Sequence, residues 1–383
     1  MEATTETTTV SAVTPAALRT VTVLIAARNE AEALPETLES IAAQTRQPNR
    51  VLVVDDGSVD LTAFVASLAK VDVLSLSQSS GKKSGAQQAG LAGITTDLIV
   101  VVDADTVLPP DTLEKLLAPF EGENPPDAAC GFVLPKQRRS IWQKGRAVEY
   151  YFGQHYYKKI QSIYNCVVVA SGCIAAYRTE VVRAVGGFLS PSLAEDMDLT
   201  WRIITAKRNG KRLRVAFVPE ALALTIDPPS AYYYVRQVWR WYAAFFQNVA
   251  RHWKALVTWK NPMLTVWVGF TLADGIGGSL LFVIWPLYIA LARWQFGWWW
   301  LAVGLQFLLE MLLAAVFGIV AVRKLRRAAP DADVMRIWQL LLALPMYLIT
   351  NAVNRVVFIF VFIREVLLRR IGVPRSKSWI KSR

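Results

Sequence analysis

The feature that most constrains the fold is a run of five large apolar residues, 98–102, that ends directly in Asp103-Ala104-Asp105. Such a run is typical of a strand buried on both faces of a sheet. Carboxylates are rarely buried without partners, so the two aspartates must face solvent, a cation or a polar ligand. Ligands of open α/β sheets lie at the carboxyl ends of strands, where two acidic side chains suit a divalent cation and a diphosphate. Taken alone, the pair also fits a polar turn.

The same pattern begins upstream. Residues 21–27 and 51–54 are β-rich runs, and a shorter run covers 71–76. Apolar positions at helical spacing over 34–41 follow the first run and predict a helix with Asn29 as its N-cap. Strand and helix therefore alternate, which predicts an α/β domain with a parallel sheet covered on both faces.

Polar side chains also follow the second strand, in the segment Asp55-Asp56-Gly57-Ser58. An aspartate at that position can accept hydrogen bonds from a nucleobase imide or a ribose hydroxyl, although an Asp-Gly turn is an ordinary alternative. Farther on, Lys82 and Lys83 lie in a loop of small residues before a helix. Lysine supplies a point charge to a diphosphate, while a flexible basic loop is the simpler interpretation.

Two further motifs carry groups suited to a sugar substrate. Ser171-Gly172-Cys173 lets the backbone approach a ligand closely, because glycine has no side-chain bulk. Glu195-Asp196-Met197-Asp198 offers three carboxylates, one of which could act as a general base. An ordinary turn and an acidic helix N-terminus are the respective alternatives.

A last motif, Gln237-Val238-Trp239-Arg240-Trp241, lies just before the apolar half of the chain. Arg240 suits a diphosphate leaving group, and Trp241 offers an acceptor sugar a flat stacking face. Without the other motifs, an aromatic and basic helix at a membrane interface would explain the pattern as well.

Three apolar segments reach membrane length: 263–292, 297–322 and 338–363. Each carries one charge, and these are Asp274, Glu310 and Arg355 in turn. Unpaired charge at membrane depth is costly, so we expect at least one acid, with Glu310 the first candidate, to pair with Arg355. The number of membrane spans, two or three, is left open. With a cytoplasmic catalytic domain, three spans would place the basic tail on the outer side of the membrane, against the positive-inside rule.

The chain of 383 residues has a net charge of +12, and its Lys and Arg crowd the flanks of these apolar segments. That placement favours the cytoplasmic face of a membrane, and no nucleic-acid-binding signature accompanies it. The three cysteines lack metal-ligand spacing and are predicted to be reduced. We predict five regions along the chain: a disordered lead-in (1–20), a catalytic domain (21–227), interfacial helices (228–262), a transmembrane region (263–368) and a basic tail (369–383). The lead-in lacks the character of a signal peptide. Within the catalytic domain, residues 140–165 are predicted to form an amphipathic helix.

Together and in this order, the motifs resemble the family-2 glycosyltransferases, and more narrowly the membrane synthases of cellulose, hyaluronan, chitin-like oligosaccharide and poly-N-acetylglucosamine. The resemblance implies a GT-A, Rossmann-like domain that binds a nucleotide sugar, followed by interfacial amphipathic helices and C-terminal transmembrane helices. It also implies a role for each matching residue. Asp56 would contact uracil and Asp103 the nucleotide, and Asp105 (with Asp103) would bind Mg²⁺ or Mn²⁺. Lys83, which would contact substrate, matches the family's lysine before Ala-Leu-Asn, although the tripeptide here is Ala86-Gln87-Gln88. Asp196 would be the base. Ser171, Gly172 and Glu195 would contact substrate, and Gln237, Arg240 and Trp241 would close over the diphosphate and the acceptor.

The implied reaction is a single in-line displacement that transfers a hexose or N-acetylhexosamine from a UDP-sugar to a lipid, glycan or protein hydroxyl, with a β-linkage. A polyprenyl-phosphate glycosyltransferase of the same fold is an alternative, although such enzymes usually lack Gln-x-x-Arg-Trp. A membrane scaffold with a degenerate nucleotide-binding domain is another, which loss of the acidic residues would favour. The cellulose and hyaluronan synthases carry spans before the catalytic domain, and this sequence shows none there, so we expect a single addition or a short oligosaccharide.

Overall fold

The computed structural model describes residues 18–189, 191–280, 297–330 and 332–368, together with residues 282, 288 and 291. Seven strands form the central sheet in the order β3-β2-β1-β4-β6-β5-β9, and two short strands form a separate hairpin, β7-β8. The strands are β1 (Val21–Ala27), β2 (Arg50–Asp55), β3 (Asp72–Ser75), β4 (Leu98–Asp103), β5 (Ala128–Pro135), β6 (Ile174–Arg178), β7 (Lys207–Arg208), β8 (Lys211–Arg212) and β9 (Val215–Thr225).

The first four strands are parallel, as their sequence pattern predicts. β6 runs antiparallel to both β4 and β5, while β5 and β9 are parallel, so the sheet is mixed. In the register of β1 with its neighbours, Ala27 is opposite Asp55 and Ala26 is opposite Asp103. The two strand-end aspartates therefore lie at one edge of the sheet, on either side of β1.

The helices that cover the sheet and extend from it are α1 (Leu34–Ala42), α2 (Thr62–Leu68), α3 (Lys83–Ala92), α4 (Thr112–Leu117), α5 (Ile141–Glu149), α6 (Lys159–Ile163), α7 (Thr179–Ala184), α8 (Glu195–Thr205), α9 (Ala231–Val257), α10 (Pro262–Ala273), α11 (Gly297–Ala328) and α12 (Ile337–Phe362). A 3₁₀ turn covers Ala118–Glu121, and π-helical turns cover Tyr150–Lys158, Asp274–Gly278 and Ile363–Leu367. The predicted amphipathic segment 140–165 is thus helical over almost its whole length.

The prediction that Asn29 caps the first helix is wrong. Helix α1 begins five residues later, at Leu34, with proline in its first turn. Asn29 instead takes a φ of 53°, its amide nitrogen donates to Ser58 Oγ at 2.9 Å, and its Oδ1 accepts from the amide of Val59 at 2.9 Å. Its side chain therefore stabilises the loop after β2 rather than a helix N-terminus.

Within the described part of the chain, two segments are long and apolar enough to cross a membrane, Gly304–Ala328 and Ile337–Leu367. Pro345 lies inside α12, which continues through it. The first apolar segment begins as α10 and its π-helical turn, and most of its remainder lies outside the described residues, as do most of the predicted lead-in and the basic tail.

The predicted ion pair between charges of the apolar segments is confirmed. Nη2 of Arg355 lies 3.9 Å from Glu310 Oε1 and 3.9 Å from Asp274 Oδ1. The amide of Asn351 also donates to Glu310 Oε2 at 3.0 Å. The charges of the three apolar segments therefore gather in one cluster, in which two acids share one arginine.

Helix α12 also packs directly on α5, the helix that follows β5. A Cβ built on Gly145 of α5 would lie 2.6 Å from the side chain of Thr350 and 2.7 Å from the carbonyl oxygen of Met346. Only glycine allows so close an approach without a shift of the helices. The inner face of α5 therefore lies against α12 rather than against solvent.

Candidate active site

Four elements converge on the amine of Lys83, the first residue of α3. The amine contacts Asp103 Oδ1 at the end of β4, lies 3.3 Å from Glu195 Oε1 on α8, and donates to the carbonyl oxygen of Gly172 at 3.4 Å. Cys173 Sγ lies 3.3 Å from Asp103 Oδ2. Residues from four distant parts of the sequence thus form one cluster at the edge of the sheet where β4 ends.

The carboxylate of Asp196 lies next to this cluster, in the first turn of α8. Its Oδ2 accepts a hydrogen bond from the amide of Gly172 at 3.0 Å, and its Oδ1 accepts from the amide of Met197 at 2.8 Å. An acidic residue in the first turn is favoured by the partial positive charge of the helix N-terminus. The interpretation of this segment as an acidic helix N-terminus and its proposed catalytic role are therefore compatible.

Burial and neighbouring charges shift the pKa values of Lys83 and Glu195 in opposite directions. Burial alone would lower the pKa of Lys83, but the carboxylates of Asp103 and Glu195 hold this pKa well above its usual value. Burial raises the pKa of Glu195, against the attraction of Lys83. Lys83 therefore stays charged and offers a fixed cation at the place where β4 ends.

Asp198, the third acid of the motif, has a structural role. Its side chain is fully buried and is surrounded by Arg202 Nε at 3.0 Å, Arg251 Nε at 2.8 Å and His252 Nε2 at 2.8 Å. Burial favours the neutral acid, but the hydrogen bond from His252 and the two guanidinium groups lower the pKa of Asp198. The residue joins α8 to α9.

Asp56 is fully buried at the end of β2, and a loop just before Lys83 covers its carboxylate. Oδ1 accepts from the amide of Ser80 at 2.6 Å and Oδ2 accepts from the hydroxyl of Ser79 at 3.0 Å. The loop that presents Lys83 is therefore anchored to the strand end that carries Asp56. The other aspartate of the motif, Asp55, accepts hydrogen bonds from Ser58 and shapes the turn.

Asp227 is a buried acid that is not among the predicted site residues. It follows β9 by two residues, its Oδ1 lies 3.4 Å from the hydroxyl of Tyr150, and its Oδ2 is buried without a hydrogen-bond partner. Burial raises its pKa to about 7, Arg146 acts against this rise, and the charge of Asp105 adds to it. A strand that ends in an aspartate is the same signal that pointed to Asp103.

The Gln-x-x-Arg-Trp motif lies on α9 and surrounds a buried arginine, Arg146, that is also not among the predicted site residues. Arg146 is 1% exposed, and its Nη2 lies 3.4 Å from Gln237 Oε1. Its guanidinium carbon lies 4.6 Å from the ring centroid of Trp241 and 4.5 Å from that of Tyr234. Arg240 is half-buried, and its Nε has no hydrogen-bond partner. No sequence signal marks Arg146 as part of this site, because its contacts on α9 lie about 90 residues away along the chain.

The carboxylates at this edge of the sheet suit a divalent cation whose remaining ligands are supplied by water and a bound substrate. Among the described residues, no group of three or more His, Cys, Asp and Glu side chains is arranged to hold a metal ion. Asp103 and Asp105 supply hard carboxylate oxygens at the strand end. Mg²⁺ typically binds one or two carboxylates, with water and substrate phosphates completing its shell. The residues present fit that pattern.

Comparisons with known proteins agree with this geometry. Residues 22–186 match the family described as Glycosyl transferase family 2. An N-acetylglucosaminyltransferase of Azorhizobium caulinodans is 30% identical over 71% of this chain and 70% of its own length. A poly-β-1,6-N-acetyl-D-glucosamine synthase of Staphylococcus aureus is 24% identical over 58% of this chain and 54% of its own.

A mannosyltransferase of Pyrobaculum calidifontis, solved with GDP-Man and Mn²⁺, has a similar fold. It superposes with a TM-score of 0.58 and 18% identity over 92% of this chain and 88% of its own. The sheet is accordingly that of a GT-A-type fold. The chain belongs to glycosyl transferase family 2, and it is a hexosyltransferase.

Proposed function

We propose that this enzyme transfers a hexose or N-acetylhexosamine from a UDP-sugar to an acceptor hydroxyl, with inversion at the anomeric carbon, on the cytoplasmic face of a membrane. One observation carries the proposal. The carboxylate of Asp196 is held by the Gly172 amide directly beside the Lys83–Asp103 pair, which brings a candidate base and a candidate phosphate-binding cation to one edge of the sheet.

In this mechanism Asp196 takes the proton from the acceptor hydroxyl, whose oxygen attacks the anomeric carbon. The bond from that carbon to the diphosphate oxygen breaks, and its electron pair leaves with UDP. Lys83 and Arg240 stabilise the negative charge that develops on the diphosphate. Asp56 holds the base of the nucleotide, with Ser79 and Ser80 fixing the orientation of its carboxylate.

Asp105, together with Asp103, would hold Mg²⁺ or Mn²⁺, which when bound neutralises charge on the departing diphosphate. The structure of the Pyrobaculum calidifontis mannosyltransferase in complex with GDP-Man and Mn²⁺ supports this proposal. Ser171, Gly172 and Glu195 would line the sugar side of the site, where the backbone of Gly172 hydrogen-bonds to both Lys83 and Asp196.

The names of two relatives support N-acetylglucosamine as the first sugar to test. The two membrane-length helices, and the packing of α12 on α5, support a catalytic domain held against a membrane. We propose that α9, which lies in the predicted interfacial segment, contacts the membrane interface. The acceptor is then a hydroxyl of a lipid, glycan or protein that reaches the site beside Trp241. Its stacking face suits a sugar ring.

The test measures UDP release from UDP-N-acetylglucosamine and other UDP-sugars by the full chain in nanodiscs, with Mn²⁺ or Mg²⁺ present. We expect Asp196→Asn to lower the rate about 10²- to 10⁴-fold, the range for losing a general base. Asp72→Asn, which removes an exposed carboxylate far along the sheet, is the matched control and should not change the rate. Unchanged release by the Asp196 variant would exclude it as the base.

A further inference from the structure

A chain of polar contacts runs from transmembrane helix α12 to the Gln-x-x-Arg-Trp motif. Asn354 of α12 is 8% exposed; its Oδ1 accepts from the hydroxyl of Tyr234 at 2.9 Å, and its Nδ2 lies 3.4 Å from Glu149 Oε2. The same Glu149 oxygen accepts from Arg146 Nη1 at 2.8 Å. One amide of α12 thus contacts both a residue of α9 and the carboxylate that pairs with Arg146.

Arg146 completes the chain, because its guanidinium lies between the rings of Tyr234 and Trp241 and reaches Gln237. A buried arginine without a partner would be costly, and here its partners are one carboxylate, one amide oxygen and two aromatic faces. Burial lowers the pKa of Arg146, but Glu149 and the nearby tyrosines keep it above its usual range. The group is a permanent cation that lysine cannot replace, because only the planar guanidinium stacks on both rings.

We infer that Arg146 is a positioning residue for the acceptor site, and that Asn354 is the contact through which transmembrane helix α12 sets the orientation of Arg146, Gln237 and Trp241. The inference rests on the proposed function only in naming Trp241 as the acceptor platform. The physical link between α12 and α9 stands independently of which sugar is transferred.

The link predicts a specific kinetic signature. Replacing Asn354 removes its hydrogen bonds to Tyr234 and Glu149, so we expect the ring of Trp241 to lose its fixed orientation. Lys83, Asp103 and Asp196 keep their own contacts. We expect Asn354→Leu to raise the KM for the acceptor about tenfold, as expected for lost hydrogen bonds, and to leave the KM for the UDP-sugar within about twofold. Arg146→Lys should change the same parameter in the same direction.

The experiment compares Asn354→Leu with Asn351→Leu in full-length protein in nanodiscs. Asn351 lies one turn earlier on α12 and bonds to Glu310 rather than to the catalytic domain, which makes it the matched control. Hydrogen exchange is followed by mass spectrometry over residues 234–243. We expect faster exchange there only in the Asn354 variant, by about tenfold or more. Equal exchange in both variants would overturn the link whatever the activity of the enzyme.

A second variant separates positioning from simple loss of stability. Asn354→Leu leaves the hydroxyl of Tyr234 without its Asn354 partner, and adding Tyr234→Phe removes that hydroxyl, so the double variant should recover much of the lost thermal stability. The acceptor KM should stay raised, because Glu149 still lacks its amide partner. Recovery of KM together with stability would show a merely structural role. If the wild-type chain transfers nothing from UDP-sugars, the proposed function fails, and the exchange measurement still decides the link.

Discussion

The amide nitrogen of Gly172 lies 3.0 Å from Oδ2 of Asp196, so the backbone just before β6 holds a carboxylate at the start of α8. The carbonyl oxygen of the same glycine accepts from the amine of Lys83. One residue without a side chain therefore spaces the candidate base from the candidate phosphate-binding cation. Any side chain at this position would enter the space between them.

The first prediction concerns this spacing. A Cβ on Gly172 would lie 2.8 Å from Lys83 Nζ and 3.6 Å from Asp196 Oδ2. Because the lysine amine is the far end of a flexible side chain, Gly172→Ala should displace the amine without unfolding the domain. We expect kcat to fall about 10²-fold, as for a 1 Å misplacement of a reacting group, with an unchanged melting temperature. Gly153→Ala, where a Cβ meets nothing within 4 Å, is the control.

A second prediction separates two neighbouring acids. Asp198→Asn leaves Arg202 and Arg251 without their buried partner, and we expect it to destabilise the fold by about 3 kcal/mol. Because the folded-state pKa of Asp198 lies below its usual value, this stabilisation is present at neutral pH and is lost as pH falls through the acid range. Thermal unfolding checks this. A loss of stability in Asp196→Asn equal to that in Asp198→Asn would contradict the division of roles.

The third prediction concerns the pH dependence of stability. Burial raises the folded-state pKa of Asp227 to about 7, so folding retains a proton that the unfolded chain releases above about pH 4. This contribution to the free energy of unfolding is fully present below about pH 4 and is lost as pH rises through about 7. The total loss is at most about 4 kcal/mol. Asp227→Asn should flatten the melting-temperature profile between pH 5 and 8, measured without divalent cations. Parallel profiles for the variant and the wild type would refute this.

The fourth prediction tests the ion cluster of Asp274, Glu310 and Arg355. Arg355→Gln leaves Asp274 and Glu310 facing one another without a cation, and should destabilise the protein in nanodiscs by about 2–4 kcal/mol. Glu310→Gln should cost less, because Asp274 still pairs with Arg355. In a double-mutant cycle the two changes should couple by about 0.5–3 kcal/mol. Additive effects would show that the 3.9 Å contact contributes nothing.

Much of the catalytic domain is predictable from sequence because its signals are local. Apolar runs that end in acids predicted β2 and β4, and apolar residues at helical spacing predicted α1. The first residue of α1 was not predicted, because Asn29 forms hydrogen bonds within the neighbouring loop instead of capping the helix. The reversal of β6 was not predicted. A short strand carries no local sign of its direction, and pairing with β4 and β5 decides it.

The candidate site divides in the same way. Asp56, Asp103 and Asp196 are readable in the chain because each stands at the end of a strand or at the start of a helix, where the polypeptide itself places a polar group next to an apolar run. Asp227, two residues after β9, shares this signal, but Arg146 and Asn354 do not. Their surroundings are built from α5, α9 and α12 together, and burial and pairing energies depend on neighbours that the sequence separates by up to about 200 positions. The sequence pattern shows which charged residues lie at the ends of strands. Only the packing of the helices and strands decides which charges are buried, which are paired, and which hold the aromatic face of Trp241 in place.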